Sequence, residues 1–309
     1  MSSSDGTTES DSGKREETHI RGWPRHTREA ALANWKVLKI TCPWFVVHAF
    51  IFAAQAWSVE LVYFLEGKYG VYGGPSYALV DFGHQLIPEI PIYPLGGISM
   101  WLLISAILWA FSWALIISIV RPRDGVTFIG IIWRALSVTC MAYILRAVSF
   151  LVTLLPAPWP PCQRFPRPGL EAYFDPPVHA QQIFSMASSM GACGDNMFSG
   201  HTTSTLVAAL VATHYIQRWF IVLPSWTFVV AEIVVLVAER AHYTVDIWVA
   251  MFTIPMLWIC FFHFFPRDPT RNVRFWRDQA KPTHLDGDPE GGEELSATCD
   301  PAFEETPSP

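Results

Sequence analysis

Apolar residues in this chain come in long blocks separated by short polar stretches. Residues 98–120, ISMWLLISAILWAFSWALIISIV, form 23 consecutive positions without a formal charge, and a helix needs about 20 such residues to cross the hydrocarbon core of a bilayer. Read the same way, the pattern predicts six spans, over about 43–65, 98–120, 131–155, 202–217, 220–238 and 247–265. Residues 1–39 are polar, with basic residues towards their end, and residues 267–309 are rich in Pro, Gly and Glu without periodicity. Both stretches have too few apolar residues to order themselves by burial. The expected organisation is an all-α integral membrane protein of six transmembrane helices, with a disordered N-terminal tail 1–39, a six-helix membrane domain 40–266 and a disordered C-terminal tail 267–309. The N-terminal stretch has no apolar core of its own, so the first span is expected to serve as the targeting signal.

Composition supports this. Hydrophobic residues make up 51% of the 309 positions and charged residues only 16%, too apolar a balance for an ordinary soluble domain. The net charge of −6 says little about partners, because much of the acid lies in the C-terminal tail, and no nucleic-acid partner is expected. Lys and Arg concentrate in the N-terminal flank, in the loops after the second and fourth spans (Arg121, Arg123, Arg218) and in the C-terminal tail, while Lys68, Arg164 and Arg167 lie on the other side. The positive-inside rule then puts both termini in the cytosol and the loops 66–97, 156–201 and 239–246 in the lumen or outside the cell.

The six cysteines contain no CxxC pair, so no metal site is indicated. Cys162 and Cys193 fall on the non-cytosolic, oxidising side. A disulfide between them is expected, with two free thiols as the alternative. They bracket a loop with Pro at 156, 158, 160, 161, 166 and 168, a density that forbids a continuous helix.

Two polar clusters stand at span ends. The first is CGDNMFSGHT, residues 193–202, and the second is AERAHYTVD, residues 238–246. Each alone reads most simply as helix capping, and Ser199 and Asp195 are natural caps for the fourth span. Their spacing says more. His201 and His242 are 41 positions apart, and two crossings of about 20 residues each return the chain to the face it left. His242 and Asp246 are four apart. On a helix they would share a face, letting the carboxylate hold the imidazole in one tautomer. Two imidazoles at one interface can divide an in-line phosphoryl transfer, one attacking phosphorus and the other protonating the departing oxygen.

Arg134 and Arg146 fall inside the third span, where a guanidinium needs a partner. Pairing with Glu60 or Glu232, or snorkelling to the interface, would meet that need. Arg146 lies towards the histidines' side, where it suits a lipid phosphate. Arg134, nearer the cytosol, is read as structural. Arg146, Ser199, Tyr243 and Asp195 form the candidate phosphate- and substrate-binding set.

CGDNMFSGHT followed by HYTVD resembles the sphingomyelin synthase family, and so does LRAVSFLVTLLPAP (145–158), with Arg146 and Thr153. The likeness covers roughly residues 80–265, including the six-span layout. The resemblance implies transfer of a phosphorylated head group from a glycerophospholipid to the primary hydroxyl of ceramide, with diacylglycerol released and no metal or other cofactor. It implies a catalytic triad of His201, His242 and Asp246. His242 would be the nucleophile, Asp246 its orienting group, and His201 the acid and then the base. The lipid partners would be ceramide, glycerophospholipid and diacylglycerol. Homo-oligomers are compatible with this reading, and the implied location is the Golgi or plasma membrane with the site on the lumenal or exoplasmic side. The family's Pro-Leu-Pro-Asp type segment is altered here: ALVDFGHQLIP keeps Asp81 without the prolines before it. That segment varies between sphingomyelin synthases and inositol phosphorylceramide synthases, so the head group stays open.

A lipid phosphate phosphatase, with water as acceptor, is the alternative. Its fuller pattern is absent: no KxxxxxxRP segment is present, Phe198 stands at the Pro of PSGH, and Leu236 falls where an Arg would stand. A ceramide sensor or scaffold without activity is a third reading, against which the intact histidine pair and Asp246 argue.

Overall fold

The polar contacts that order this bundle are made mostly at its helix ends. The computed structural model describes residues 25–69, 79–90, 97–120, 126–162, 179, 193 and 197–264, all within one compact unit. Among the described residues are seven α-helices and no strand: α1 Arg25–Tyr69, α2 Phe82–Leu86, α3 Gly97–Val120, α4 Phe128–Val152, α5 Gly200–Val211, α6 Trp219–Ala238 and α7 Thr244–Phe264. Five of them (α1, α3, α4, α6 and α7) are long and apolar enough to cross a membrane. The expected fourth span is shorter. α5 has 12 residues and runs into a π-helical turn, Ala212–Ile216, closed by Gln217 in the left-handed region at φ 55°. Its role in the bundle accounts for its composition. Thr202, Thr203, Thr205, Leu206, Val207, Ala208, Ala209 and Val211 are all buried, because α5 packs against α3, α4, α6 and α7. A helix enclosed on nearly every side needs small residues more than a lipid-facing stripe.

The long helices meet through small residues. On α3 the buried positions are Ser99, Ala106, Ala110, Ala114 and Ser118, a stripe that lets α5 and α6 approach closely. α1 lies along α4. The helix begins at Arg25, so residues 25–39 do not form part of a disordered tail as expected. The physical reason is burial: Ala30 and Val37, two helical turns apart, are buried, and the Asn34 side chain accepts the Ile129 N–H at 2.9 Å near the start of α4. The expected C-terminal tail 267–309 lies outside the described residues.

The start of α3 is capped by a residue distant in sequence. Glu239, which ends α6, is buried, and its carboxylate meets the start of α3. Oε1 accepts the Ile98 N–H at 2.5 Å and Oε2 accepts the Ser99 hydroxyl at 2.6 Å. A carboxylate at a helix N-terminus satisfies donors that the helix itself leaves unpaired and sits favourably in its dipole. Gly97, at φ +74°, leaves room that a side chain would take from Glu239. At the opposite end of the bundle, Arg134 donates to the Tyr215 hydroxyl at 2.7 Å and lies over the Phe262 ring, 5.0 Å from its centroid. Glu232 is fully buried with neither carboxyl oxygen hydrogen-bonded among the described residues, so the suggested pairing of Glu232 with Arg134 or Arg146 is not formed.

Replacing Glu239 by Ala leaves the α3 amides and the Ser99 hydroxyl without their acceptor. The expected cost is about 1–3 kcal/mol, measured as a lowered midpoint in thermal unfolding of the purified protein. An unchanged midpoint would show that the Glu239 cap is not structural.

Candidate active site

The start of α5 is set by its own sequence. Ser199 is fully buried, with its hydroxyl accepting the Thr202 N–H at 3.2 Å and the Thr202 hydroxyl at 3.0 Å. This is a helix N-cap in which a side-chain oxygen satisfies an exposed amide. Next to it, Gly200 lies against the Arg146 guanidinium, whose Cζ would stand 2.9 Å from a Cβ at that position. Glycine is what allows α4's arginine to reach the first turn of α5. His201 follows, projecting from that same turn.

The second cluster is built by a turn. α6 ends where Arg240 adopts the left-handed region at φ 57°, and the Ala241 N–H folds back to the Leu236 carbonyl at 3.1 Å. His242 therefore lies outside any helix, two positions before α7 begins at Thr244. The expectation that His242 and Asp246 share a helical face is corrected in that respect. They meet because the turn leads directly into α7, placing His242 Nδ1 3.7 Å from Asp246 Oδ2. That oxygen also accepts the Tyr243 N–H at 3.0 Å.

The two clusters come together. The His201 and His242 rings stand edge to face with centroids 6.0 Å apart, and the Ser199 N–H bonds to the Asp246 carbonyl at 3.3 Å. Arg146, Ser199, His242 and Asp246 are all buried. Burial, and after it the positive charge of Arg146, hold the His242 imidazole below its ordinary pKa, so the ring is neutral and keeps a free lone pair near pH 7.

Other candidate positions fall variously. Arg146 reaches the histidines' end of the bundle, with its guanidinium over the Tyr143 ring at 5.5 Å. Tyr243 is buried, and its hydroxyl is engaged by the chain itself, donating to the Pro156 carbonyl at 2.9 Å and accepting the Leu79 N–H at 3.2 Å. It ties loops together beside the histidines. Asp195 lies outside the described residues. Cys162 and Cys193 are joined by a disulfide with Cα atoms 5.5 Å apart, packed with Tyr63 and Ala157.

Three residues at this end carry no role in the sequence reading. Asp81, noted there only as the remnant of an altered motif, caps two helices. Oδ1 accepts the His84 N–H of α2 at 3.0 Å and the Thr244 hydroxyl at 2.6 Å, and Oδ2 accepts the Thr244 N–H of α7 at 2.8 Å. Burial opposes its charge, but the Thr244 hydroxyl and the two amides outweigh that and hold the carboxyl below its ordinary pKa. His84 places Nε2 3.0 Å from the His242 carbonyl, and Arg240 donates to the His84 carbonyl at 2.6 Å. The short polar run in ALVDFGHQLIP was the available signal for the first two residues.

Residues 192–264 match the PAP2 superfamily C-terminal domain, a stretch that contains both histidines and Asp246. The chain is 30% identical over 203 residues to phosphatidylinositol:ceramide inositolphosphotransferase 2 of Arabidopsis thaliana, covering 64% of each chain. It is 26% identical over 199 residues to phosphatidylcholine:ceramide cholinephosphotransferase 2 of Homo sapiens, covering 56% of this chain and 51% of the relative. A match of 25% identity over 231 residues reaches sphingomyelin synthase-related protein 1 of Mus musculus, covering 67% of this chain and 46% of the relative. These matches support the family of sphingomyelin and inositol phosphorylceramide synthases. The chain spans less than two thirds of the length of each of these three relatives.

Gly200→Ala is a test of the site's packing. The added methyl group meets the Arg146 guanidinium, so Arg146 must move or α5 must shift, at an expected cost of about 1–3 kcal/mol. Thermal unfolding together with a lipid-transfer assay checks this. Wild-type stability with wild-type turnover would show that Arg146 does not need its place against α5.

Proposed function

We propose that this protein is a sphingolipid synthase that transfers a phosphorylated head group, such as phosphoinositol, phosphocholine or phosphoethanolamine, from a glycerophospholipid to ceramide and releases diacylglycerol. The observation that carries the reading is the meeting of His201 and His242, with rings 6.0 Å apart and Asp246 behind His242. Nδ1 of His242 faces the Asp246 carboxylate, so Nε2 is the nitrogen available to attack phosphorus. In the first step an Nε2–P bond forms and the bond from phosphorus to the glycerol oxygen breaks. His201 gives its proton to that oxygen, and diacylglycerol leaves. In the second step His201 takes the proton of the ceramide primary hydroxyl, the oxygen attacks phosphorus, and the N–P bond breaks to restore His242. Arg146 would hold the phosphoryl oxygens at the base of the site, and the Ser199 hydroxyl would stay with its helix cap.

The same reading places six crossings in the membrane, with α5 and its π-helical turn completing the set, both termini in the cytosol and the site on the lumenal or exoplasmic side of the Golgi or plasma membrane. What supports the orientation is the concentration of Lys and Arg at the opposite end. Transfer to ceramide is favoured over hydrolysis because Leu236, where a phosphatase would carry an Arg, is fully buried among Val237 and Ile247.

Expression in cells lacking their own synthase, followed by lipid mass spectrometry, tests the function. A new phosphosphingolipid that depends on added phospholipid is expected, and its mass names the head group. Release of free phosphate without such a lipid would instead make the protein a phosphatase. His242→Ala is expected to abolish transfer, and His201→Ala to lower it by about 100- to 10,000-fold, with both variants still in the membrane. Substantial turnover in either would overturn the assigned roles.

A further inference from the structure

Asp246 alone does not fix the His242 ring. The separation of 3.7 Å between Nδ1 and Oδ2 is too long for a hydrogen bond, and the backbone at His242 belongs to no helix. We propose that His84 is a positioning residue for His242: by donating from Nε2 to the His242 carbonyl, it sets the direction in which the imidazole leaves the chain. This rests on the reading of His242 as nucleophile.

The geometry of the contact supports the assignment. His84 Nε2 is 3.0 Å from the His242 carbonyl oxygen, and a carbonyl can only accept, so the nitrogen must carry the proton. The His84 ring stacks on Tyr243, with centroids 5.7 Å apart and planes at 30°. His84 is itself held from two sides. Its N–H is given to Asp81 at 3.0 Å, and its carbonyl receives the Arg240 guanidinium at 2.6 Å. Arg240 also donates to the Ile87 carbonyl at 3.1 Å, and Asp81 binds both the N–H and the hydroxyl of Thr244. Residues on both sides of His242 are thus fastened to the segment 81–87. Gly83 permits the approach, because a Cβ there would collide with the Thr244 hydroxyl. The arrangement closes on itself: Asp81 and His84 on one strand of contacts, Arg240, His242, Tyr243 and Thr244 on the other. A nucleophile displaced by a fraction of an ångström loses rate without losing affinity, so the clamp acts on the chemical step.

The test compares His84→Leu, which removes the donor, with His84→Gln, whose amide nitrogen can reach the same carbonyl. Transfer is measured on the purified full-length chain, with kcat and KM for ceramide and for the phospholipid donor. His84→Leu should lower kcat by about 10- to 100-fold while both KM values stay within about twofold, and His84→Gln should recover most of kcat. If the Leu variant does not fold, His84→Asn replaces it, being too short to reach the carbonyl. A wild-type kcat in His84→Leu, a Gln variant no better than the variant lacking the donor, or a raised KM at unchanged kcat would each overturn the proposal. His242→Ala run beside them separates the two readings. If it retains turnover, the nucleophile assignment fails. If it is inactive while the His84 variants are normal, only the positioning role fails.

Discussion

A single backbone hydrogen bond, from the Ser199 N–H to the Asp246 carbonyl at 3.3 Å, joins the start of α5 to the first turn of α7. These segments are separated in sequence by the whole of α5 and α6. Their contact forces the chain that leaves at His201 to come back beside it. Once that is required, the length of α6, the point at which it stops and the direction of the turn after it are all constrained. The small residues of α3 serve the same requirement, because α5 and α6 must both lie against it for the return to close.

Burial makes the polar groups at this end depend on one another. A charged side chain removed from water is costly unless its hydrogen bonds are replaced. Asp81 and Glu239 meet the condition in the same manner, each giving its carboxylate to the amides and hydroxyl at the start of a distant helix. The result is that, among the described residues, the helix ends on this side are cross-linked, while other helix faces carry exposed apolar side chains, as at Trp101, Trp248 and Phe252. A site for a lipid head group needs that combination: fixed dipoles at the phosphorus and apolar walls for the chains.

Much of this was legible in the chain before any coordinates. The hydropathy blocks located the five long helices to within a few residues at most ends. The 41-residue spacing brought His201 and His242 to one face through simple length arithmetic. α5 was harder, since an enclosed helix of Thr and Ala carries a weak span signal and stops short at a π-helical turn. Residues 25–39 looked like a tail because their burial depends on α4, which a local window does not see. The largest gap lay at His242. A spacing of four suggested a shared helix, but the left-handed Arg240 ends α6 and leaves His242 in a turn. Neither Arg240 nor His84 is marked by any spacing rule, because the backbone carbonyls they donate to are brought near only by tertiary folding.

The central claim is that the phosphorylated head group passes through His242. The most direct measurement is to incubate the protein with a glycerophospholipid labelled at the head-group phosphorus, omit ceramide, and map the label by peptide mass spectrometry. The account predicts label on His242 that disappears when ceramide is added, with the same label recovered in the sphingolipid. Label on another residue, or turnover to product with no protein-bound label at any time after mixing, would contradict it.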